Sequence, residues 1–340
     1  MRKKPSCAGV LESNASQTPR IVVAGAGAVG CFVGGLLARA GHTVSFLGRR
    51  RIFDSLRDNG LWLTGYDGLD ISLPADALDL HESPHILRKA DIILVCVKSA
   101  ATANMASLIC DYAQDGAVVI SLQNGMGHAD TLRAALPEHD IRPAMVPFNV
   151  VPMAQGRFHR ANSGDIVIGA GPHGLDTLLS NDAMTVTQSA EIEAFQWGKL
   201  LLNLNNAPNA LSGLSLYQQL LSPQWRSLLA EQLEEALGVV RAHGCAVKLP
   251  IPVPMGLVPY ILRLPTPLFR RIAARMLQID PQARTSMAYD LDAGRPTEVD
   301  AFQGRIIAMG LEKSIPTPLS LSLLEKIKAA EEERAQGFRD

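Results

Sequence analysis

Along the first half of the chain, short apolar runs alternate with stretches of helical period. Ile21–Ala24 is the first apolar run. Ala28–Arg39 follows with a helical pattern that Gly41 ends, and Thr43–Leu47 reads as a second strand. Asp91–Val97 and Ala117–Leu122 are further strand-like runs. This alternation from Arg20 to about Gly169 predicts an α/β domain, with a mostly parallel sheet and helices on both faces. Met145–Pro152, Arg157–His159 and Ile166–Ile168 also read as strands and suggest a mixed edge.

From about Glu191 the pattern turns helical. Ala194–Asn205 and Trp225–Ala242 are the clearest helices, and His243-Gly244 closes the second of them. Asp300–Met309 and Ser320–Glu333 are predicted helices too. The boundary is placed near residue 190, giving a first domain over 20–190 and an all-α second domain over 191–335. Residues 1–19 begin with Arg2, Lys3 and Lys4 but lack an apolar core segment, so they are expected to be a disordered extension rather than a signal peptide. Leu249–Leu268 holds Pro250, Pro252, Pro254, Pro259, Pro265 and Pro267, which opposes a regular helix and predicts a surface connection.

Composition narrows the function classes. A formal net charge of -1 gives no sign of the basic stripe that a nucleic-acid binder needs, and none is expected. No apolar run is long enough to span a membrane. Cys7, Cys31, Cys96, Cys110 and Cys245 form no C-x-x-C pair, and Cys31 and Cys96 are expected to be buried free thiols in a reducing cytoplasm. His81 and His85 have a metal-binding spacing, but Pro84 interrupts the helix it would need, so no metal is expected.

The candidate chemistry starts at Gly25-Ala26-Gly27-Ala28-Val29-Gly30, directly after the first strand. Gly25 permits a tight turn, Gly27 lets a pyrophosphate approach the backbone, and Gly30 lets helix and strand pack closely. The second strand ends Leu47-Gly48-Arg49-Arg50-Arg51, without the acid that would bind a ribose 2′-hydroxyl. A guanidinium there suits a 2′-phosphate, so NADPH/NADP is the expected cofactor, with Arg49 as the best candidate. Lys98 and Asn124 follow later strands, at the sheet edge where ligands bind in such folds.

In the helical half, Lys199 and Asn203 are four apart and share a helix face, with Asn206 near it. A lysine and amides in a leucine-rich helix are costly to bury without partners; a substrate carboxylate and carbonyl would be such partners, and a helix with its polar side in solvent is the alternative. Ser286-Met287-Ala288-Tyr289-Asp290 and Arg295-Pro296-Thr297-Glu298-Val299-Asp300 complete the set; Thr297 would cap the helix that follows.

Together these motifs resemble the ketopantoate reductase family, in family order from residue 20 to about 315. They are Gly25-x-Gly27-x-x-Gly30, Val97-Lys98, Asn124-Gly125-Met126-Gly127, Gly198-Lys199-x-x-x-Asn203, and Ser286-Met287-x-x-Asp290 with Thr297-Glu298-x-Asp300. The resemblance implies a Rossmann domain joined to a helical domain like that of 6-phosphogluconate dehydrogenase, with the active site between them. It implies NADPH-dependent reduction of 2-dehydropantoate to (R)-pantoate, in the synthesis of pantothenate and coenzyme A, by an enzyme of a family that commonly forms homodimers. Carried over, Lys199 is the general acid and Glu298 binds substrate and holds the lysine. Asn124, Asn203 and Ser286 contact substrate, Asn124 also lies near the cofactor, and Lys98 touches the cofactor. The family often has a second substrate asparagine eight residues after the lysine. Ala207 stands there, so either Asn206 serves through a one-residue shift or the contact is absent. Two alternatives remain: a reductase of another 2-keto acid or an opine-type dehydrogenase, and a non-catalytic NADP(H) sensor, which would need neither Lys199 nor Glu298.

Overall fold

The computed structural model describes residues 18–249, 253–274, 277 and 280–337. Of the segment expected to be an extension, residues 1–17 lie outside the described residues, as do Pro250 and Pro252. The chain forms two compact units and passes from one to the other between Ile192 and Glu193.

The first unit runs β1 (Arg20–Ala24), α1 (Ala28–Arg39), β2 (Thr43–Leu47), α2 (Arg50–Asn59), β3 (Leu61–Gly65), β4 (Asp70–Leu73), β5 (Asp79–His81), β6 (Ile92–Val95), α3 (Thr102–Tyr112), β7 (Val118–Ser121), α4 (His128–Ala135), β8 (Asp140–Met145), β9 (Val150–Pro152), β10 (Arg157–Arg160), β11 (Ile166–Gly169), α5 (Leu175–Leu179) and β12 (Val186–Ser189). Eight strands make one sheet in the order β12-β11-β8-β7-β6-β1-β2-β5. Every neighbouring pair is parallel except β8 with β11. Its central strands are apolar throughout because both faces are covered: Ile21 and Val23 join one core cluster, Val22 and Ala24 the other. The chain starts at β1, runs outward to β2 and β5, then crosses to β6. That reversal makes the carboxyl ends of β1 and β6 the topological switch point.

A second sheet, β4-β3-β10-β9, covers α1 from outside. Its strands β3 and β4 were not foreseen from the sequence. Adjacent glycines fit α1 between the two sheets. A Cβ on Gly34 would lie 2.6 Å from the Phe46 ring and 2.7 Å from Val23; one on Gly35 would lie 2.7 Å from Leu61. Arg160 sits over the rings of Phe32 and Phe148 and donates to Asp67 at 2.7 Å and to the Ala183 carbonyl at 2.9 Å. The stretch expected as one strand over Met145–Pro152 is divided. Asn162 accepts from Asn149 N–H and donates to the Pro147 carbonyl, where the chain leaves the large sheet for the small one.

The second unit holds α6 (Ile192–Asn203, whose first residue belongs to the first unit), α7 (Asn206–Ser212), α8 (Leu216–Leu221), α9 (Pro223–Ala242), α10 (Val258–Leu262), α11 (Thr266–Ile272), α12 (Ser286–Asp292), α13 (Arg305–Glu312) and α14 (Pro318–Gly337), with no strand among its described residues. The proline-rich stretch corrects the expectation of an irregular surface connection. Pro259 and Pro267 sit in the first turns of α10 and α11, where a missing N–H costs no helical bond. Val258, Leu262 and Phe269 are buried. Arg226 of α9 donates to the carbonyls of Leu262 and Leu264 and stacks 4.5 Å from the Phe269 ring centre. The helix expected over Asp300–Met309 opens with a wider π-type turn at Asp300–Gly304. Among the described residues no helix is long and apolar enough to cross a membrane.

Candidate active site

At the switch point the three motif glycines answer three separate constraints. Gly25 has φ +114, and a Cβ there would lie 2.8 Å from the backbone nitrogen of Val97. Its N–H donates to the Leu47 carbonyl at 2.9 Å, so the loop touches the ends of both β2 and β6. A Cβ on Gly30 would strike the Gly25 carbonyl oxygen at 2.2 Å. Gly27 is exposed, and a Cβ there would meet nothing within 4 Å. It precedes α1, which has no side-chain cap and no acid in its first turn. Among the described residues no side chain caps the N–H groups at this helix end, an arrangement that suits an anion. Ala26 is buried against Gly48, while Ala28 and Val29 are half-buried at the start of α1.

Around this loop stand the other first-unit candidates. Arg49 is exposed immediately before α2, in line with the end of β2. Arg50 turns toward Asp54 at 3.7 Å, whereas Arg49 and Arg51 make no ion pair among the described residues. Lys98 is exposed just after β6, and Asn124 is half-buried just after β7. Cys31 is buried as expected, Cys96 is half-buried, and burial pushes both thiols well above the ordinary cysteine range.

In the second unit α6 presents Lys199 and Asn203 one turn apart. The glycine before the lysine has its own cause: a Cβ on Gly198 would lie 2.0 Å from the Lys248 carbonyl oxygen, where that segment crosses α6. Lys199 is half-buried, and desolvation pushes its pKa down to about 8. Asn203 and Asn206 are buried, yet neither side-chain amide makes a hydrogen bond among the described residues. Asn209 is fully buried and committed. Its Oδ1 accepts from Thr285 N–H at 3.0 Å, and its Nδ2 donates to the Leu214 carbonyl and to Gln219 Oε1. Thr285 Oγ1 donates to the Asn206 carbonyl at 3.3 Å. These bonds tie exposed Ser286, the first residue of α12, to the start of α7.

Glu298 is half-buried in the turn before the π-type segment. Thr297 Oγ1 accepts from Val299 N–H at 3.3 Å, but the helical segment takes Val299 itself as its N-cap, with no side-chain cap bond, so Thr297 braces the turn ahead of the helix rather than capping it. Asp300 instead pairs with Lys328 of α14. Buried Gln303 donates to the Leu204 carbonyl at 3.0 Å, joining the turn that follows Glu298 to the end of the lysine helix.

Two family models, ketopantoate reductase PanE/ApbA and its C-terminal counterpart, match residues 21–173 and 191–331. The chain belongs to the ketopantoate reductase family. It is 27% identical to the 2-dehydropantoate 2-reductase of Halobacterium salinarum over 92% of this chain and 99% of that one. A solved PanE/ApbA family ketopantoate reductase from Ralstonia eutropha is 30% identical, with a TM-score of 0.78 over 93% of this chain and 99% of that one. A D-mandelate dehydrogenase with NADH and anilino(oxo)acetate shares the fold at 20% identity and a TM-score of 0.74, over 93% of this chain and 99% of that one. The family is one of oxidoreductases with a nicotinamide cofactor and a small-molecule substrate.

Within this family frame, the first-unit candidates gather at one sheet edge. Asn203, Asn206, Ser286 and Glu298 are linked through three buried side chains, Thr285, Asn209 and Gln303. Of those three, Thr285 and Gln303 were not singled out from the sequence, nor were Thr102, Gln123 and His128 beside Asn124. Polar residues inside otherwise apolar stretches are the signal that marks such groups, because a buried amide or hydroxyl must be bonded.

Proposed function

We propose that this ketopantoate reductase family member reduces 2-dehydropantoate to (R)-pantoate with NADPH. The observation that carries the reading is Lys199. Burial pushes its pKa down to about 8, and one helical turn away Asn203 is a buried amide with no side-chain hydrogen bond among the described residues. A 2-keto acid offers the amide a hydrogen-bond partner and the lysine a keto oxygen to protonate. The fit to a dinucleotide rests on open space at Gly27 above an uncapped helix end, and on Arg49 where an acid would select NADH.

When bound, the cofactor supplies the hydride to C2. The loop from Gly25 through Ala26, Gly27, Ala28 and Val29 to Gly30 would hold the pyrophosphate. Arg49 would hold the 2′-phosphate, and Lys98 and Asn124 would position the ribose. As C2 accepts the hydride, negative charge grows on the keto oxygen. The Lys199 ammonium stabilises that charge and donates its proton to the same oxygen, completing the hydroxyl. The neutral amine then regains a proton from solvent. Glu298 favours the charged lysine and binds substrate, while Asn203, Asn206 and Ser286 hold the carboxylate and hydroxyl groups.

A second reading, a reductase of another 2-keto acid, is favoured by one observation. Ala207 is fully buried and the side chains of Asn205 and Asn209 are consumed by structural bonds, so among the described asparagines of this segment past Asn203 the Asn206 amide is the one left to offer. The test follows oxidation of NADPH and NADH by purified protein with 2-dehydropantoate and a panel of other 2-keto acids. Fast turnover of 2-dehydropantoate with NADPH is the expected result. Turnover of a different keto acid alone moves the substrate and keeps the chemistry. Tight NADPH binding with no turnover of any keto acid overturns catalysis and leaves a sensor.

A further inference from the structure

Beside Asn124 lies a chain of polar side chains that the reaction above does not use. Ser121, Gln123 and Thr102 are buried, and His128 is half-buried at the start of α4. Ser121 Oγ donates to Gln123 Oε1 at 3.1 Å. Gln123 Nε2 donates to the Val97 carbonyl at 3.0 Å and to Thr102 Oγ1 at 2.8 Å. Thr102 Oγ1 lies 3.2 Å from His128 Nδ1 and 2.9 Å from the Ser99 carbonyl. His128 Nε2 lies 2.8 Å from the Asn124 carbonyl.

With the imidazole proton on Nε2, His128 donates to the Asn124 carbonyl, Gln123 donates to Thr102, and the single Thr102 hydroxyl proton is shared between the Ser99 carbonyl and His128 Nδ1. Burial pushes His128 below the ordinary histidine range, which favours this neutral ring at neutral pH. The chain joins two separate loops. One follows β6 and carries Lys98; the other follows β7 and carries Asn124 between Gln123 and the left-handed Gly125 and Gly127. Both glycines make the second loop deformable on its own, so the side-chain bonds limit where Asn124 rests.

We propose that His128, through Thr102 and Gln123, is a positioning residue that fixes Lys98 and Asn124 relative to each other for the nicotinamide cofactor. This rests on the cofactor reading above. His128 touches no reacting atom in this role; it acts through the Asn124 backbone.

The test is the dissociation constant of NADPH for the whole protein, measured by titration without keto acid, beside the melting temperature. His128→Ala is expected to weaken NADPH binding about ten-fold, the effect of one lost hydrogen bond of ordinary strength. His128→Gln, whose amide nitrogen can replace Nε2 toward the Asn124 carbonyl, is expected to restore binding to within about three-fold of wild type. Thr102→Val cuts the chain one link earlier and serves if His128→Ala does not fold. Unchanged NADPH binding in a folded His128→Ala or Thr102→Val variant overturns the proposal, as does His128→Gln binding as weakly as His128→Ala. Wild-type protein that binds neither NADPH nor NADH overturns the cofactor reading itself, and the brace with it.

Discussion

The two units build their candidate sites from different materials. The first uses backbone: glycines whose missing Cβ atoms allow a tight turn and a close approach, and a bare helix end. The second uses side chains: Lys199, Asn203, Asn206, Ser286 and Glu298, steadied by buried amides from residues far apart in sequence. A backbone site is written in residue identity at adjacent positions. A side-chain site depends on which helices pack together, so its parts are scattered along the chain.

The comparison is broken most sharply at Lys199. Lys199→Ala is expected to lower turnover by about 10²–10⁴-fold while leaving NADPH binding intact, as steady-state kinetics and cofactor titration would show. An effect on binding alone would move the lysine out of the chemistry. Asn209→Ala comes next. It strands Thr285 N–H, the Leu214 carbonyl and Gln219, and should cost about 3 kcal/mol in urea unfolding while raising KM for the keto acid. In the first unit, Gly30→Ala and Gly27→Ala should separate fold from ligand. The first drives a methyl into the Gly25 carbonyl and should cost about 2–3 kcal/mol. The second should leave stability within about 1 kcal/mol and weaken NADPH binding instead. Arg49→Ser should weaken NADPH about ten-fold and leave NADH unchanged, as the two dissociation constants would show.

The smallest and most continuous probe is pH. Lys199 acts as an acid only while protonated, so kcat is expected to hold below about pH 8 and to fall above it. An unperturbed lysine would hold to its ordinary value of 10.5. The same depression makes the charged ammonium a cost to folding below about pH 8. That cost is relieved as pH rises towards 10.5, because over this window the unfolded chain binds the proton more strongly. A flat kcat profile through pH 8 would break the assignment.

How much was legible can be judged element by element. The ranges of α1 and β2 were readable to the residue, since Gly25, Gly41 and the apolar runs punctuate them. β3 and β4 were missed, although Asp67-Gly68 between them is a hairpin signal and Gly68 takes φ +89. A further clue lay in α1, where Gly30 through Leu37 are all buried. A helix without a polar face must be covered on both sides, which the second sheet does. The prolines of α10 and α11 misled because their effect depends on position within a turn.

The sequence by itself determined the alternation of strand and helix, the glycine loop, the basic end of β2 and the residue types of the second site. Those features are local, set by chain geometry and by side chains a few positions apart. Tertiary structure alone decided that Asn209 is a strut while the Asn206 amide is uncommitted among the described residues, that Thr285 ties α12 to the start of α7, and that Gln303 ties the turn after Glu298 to the end of the lysine helix. The physical reason is desolvation. A buried amide must find its partner wherever packing places one, and that partner is 76 residues away for Asn209 and 99 for Gln303.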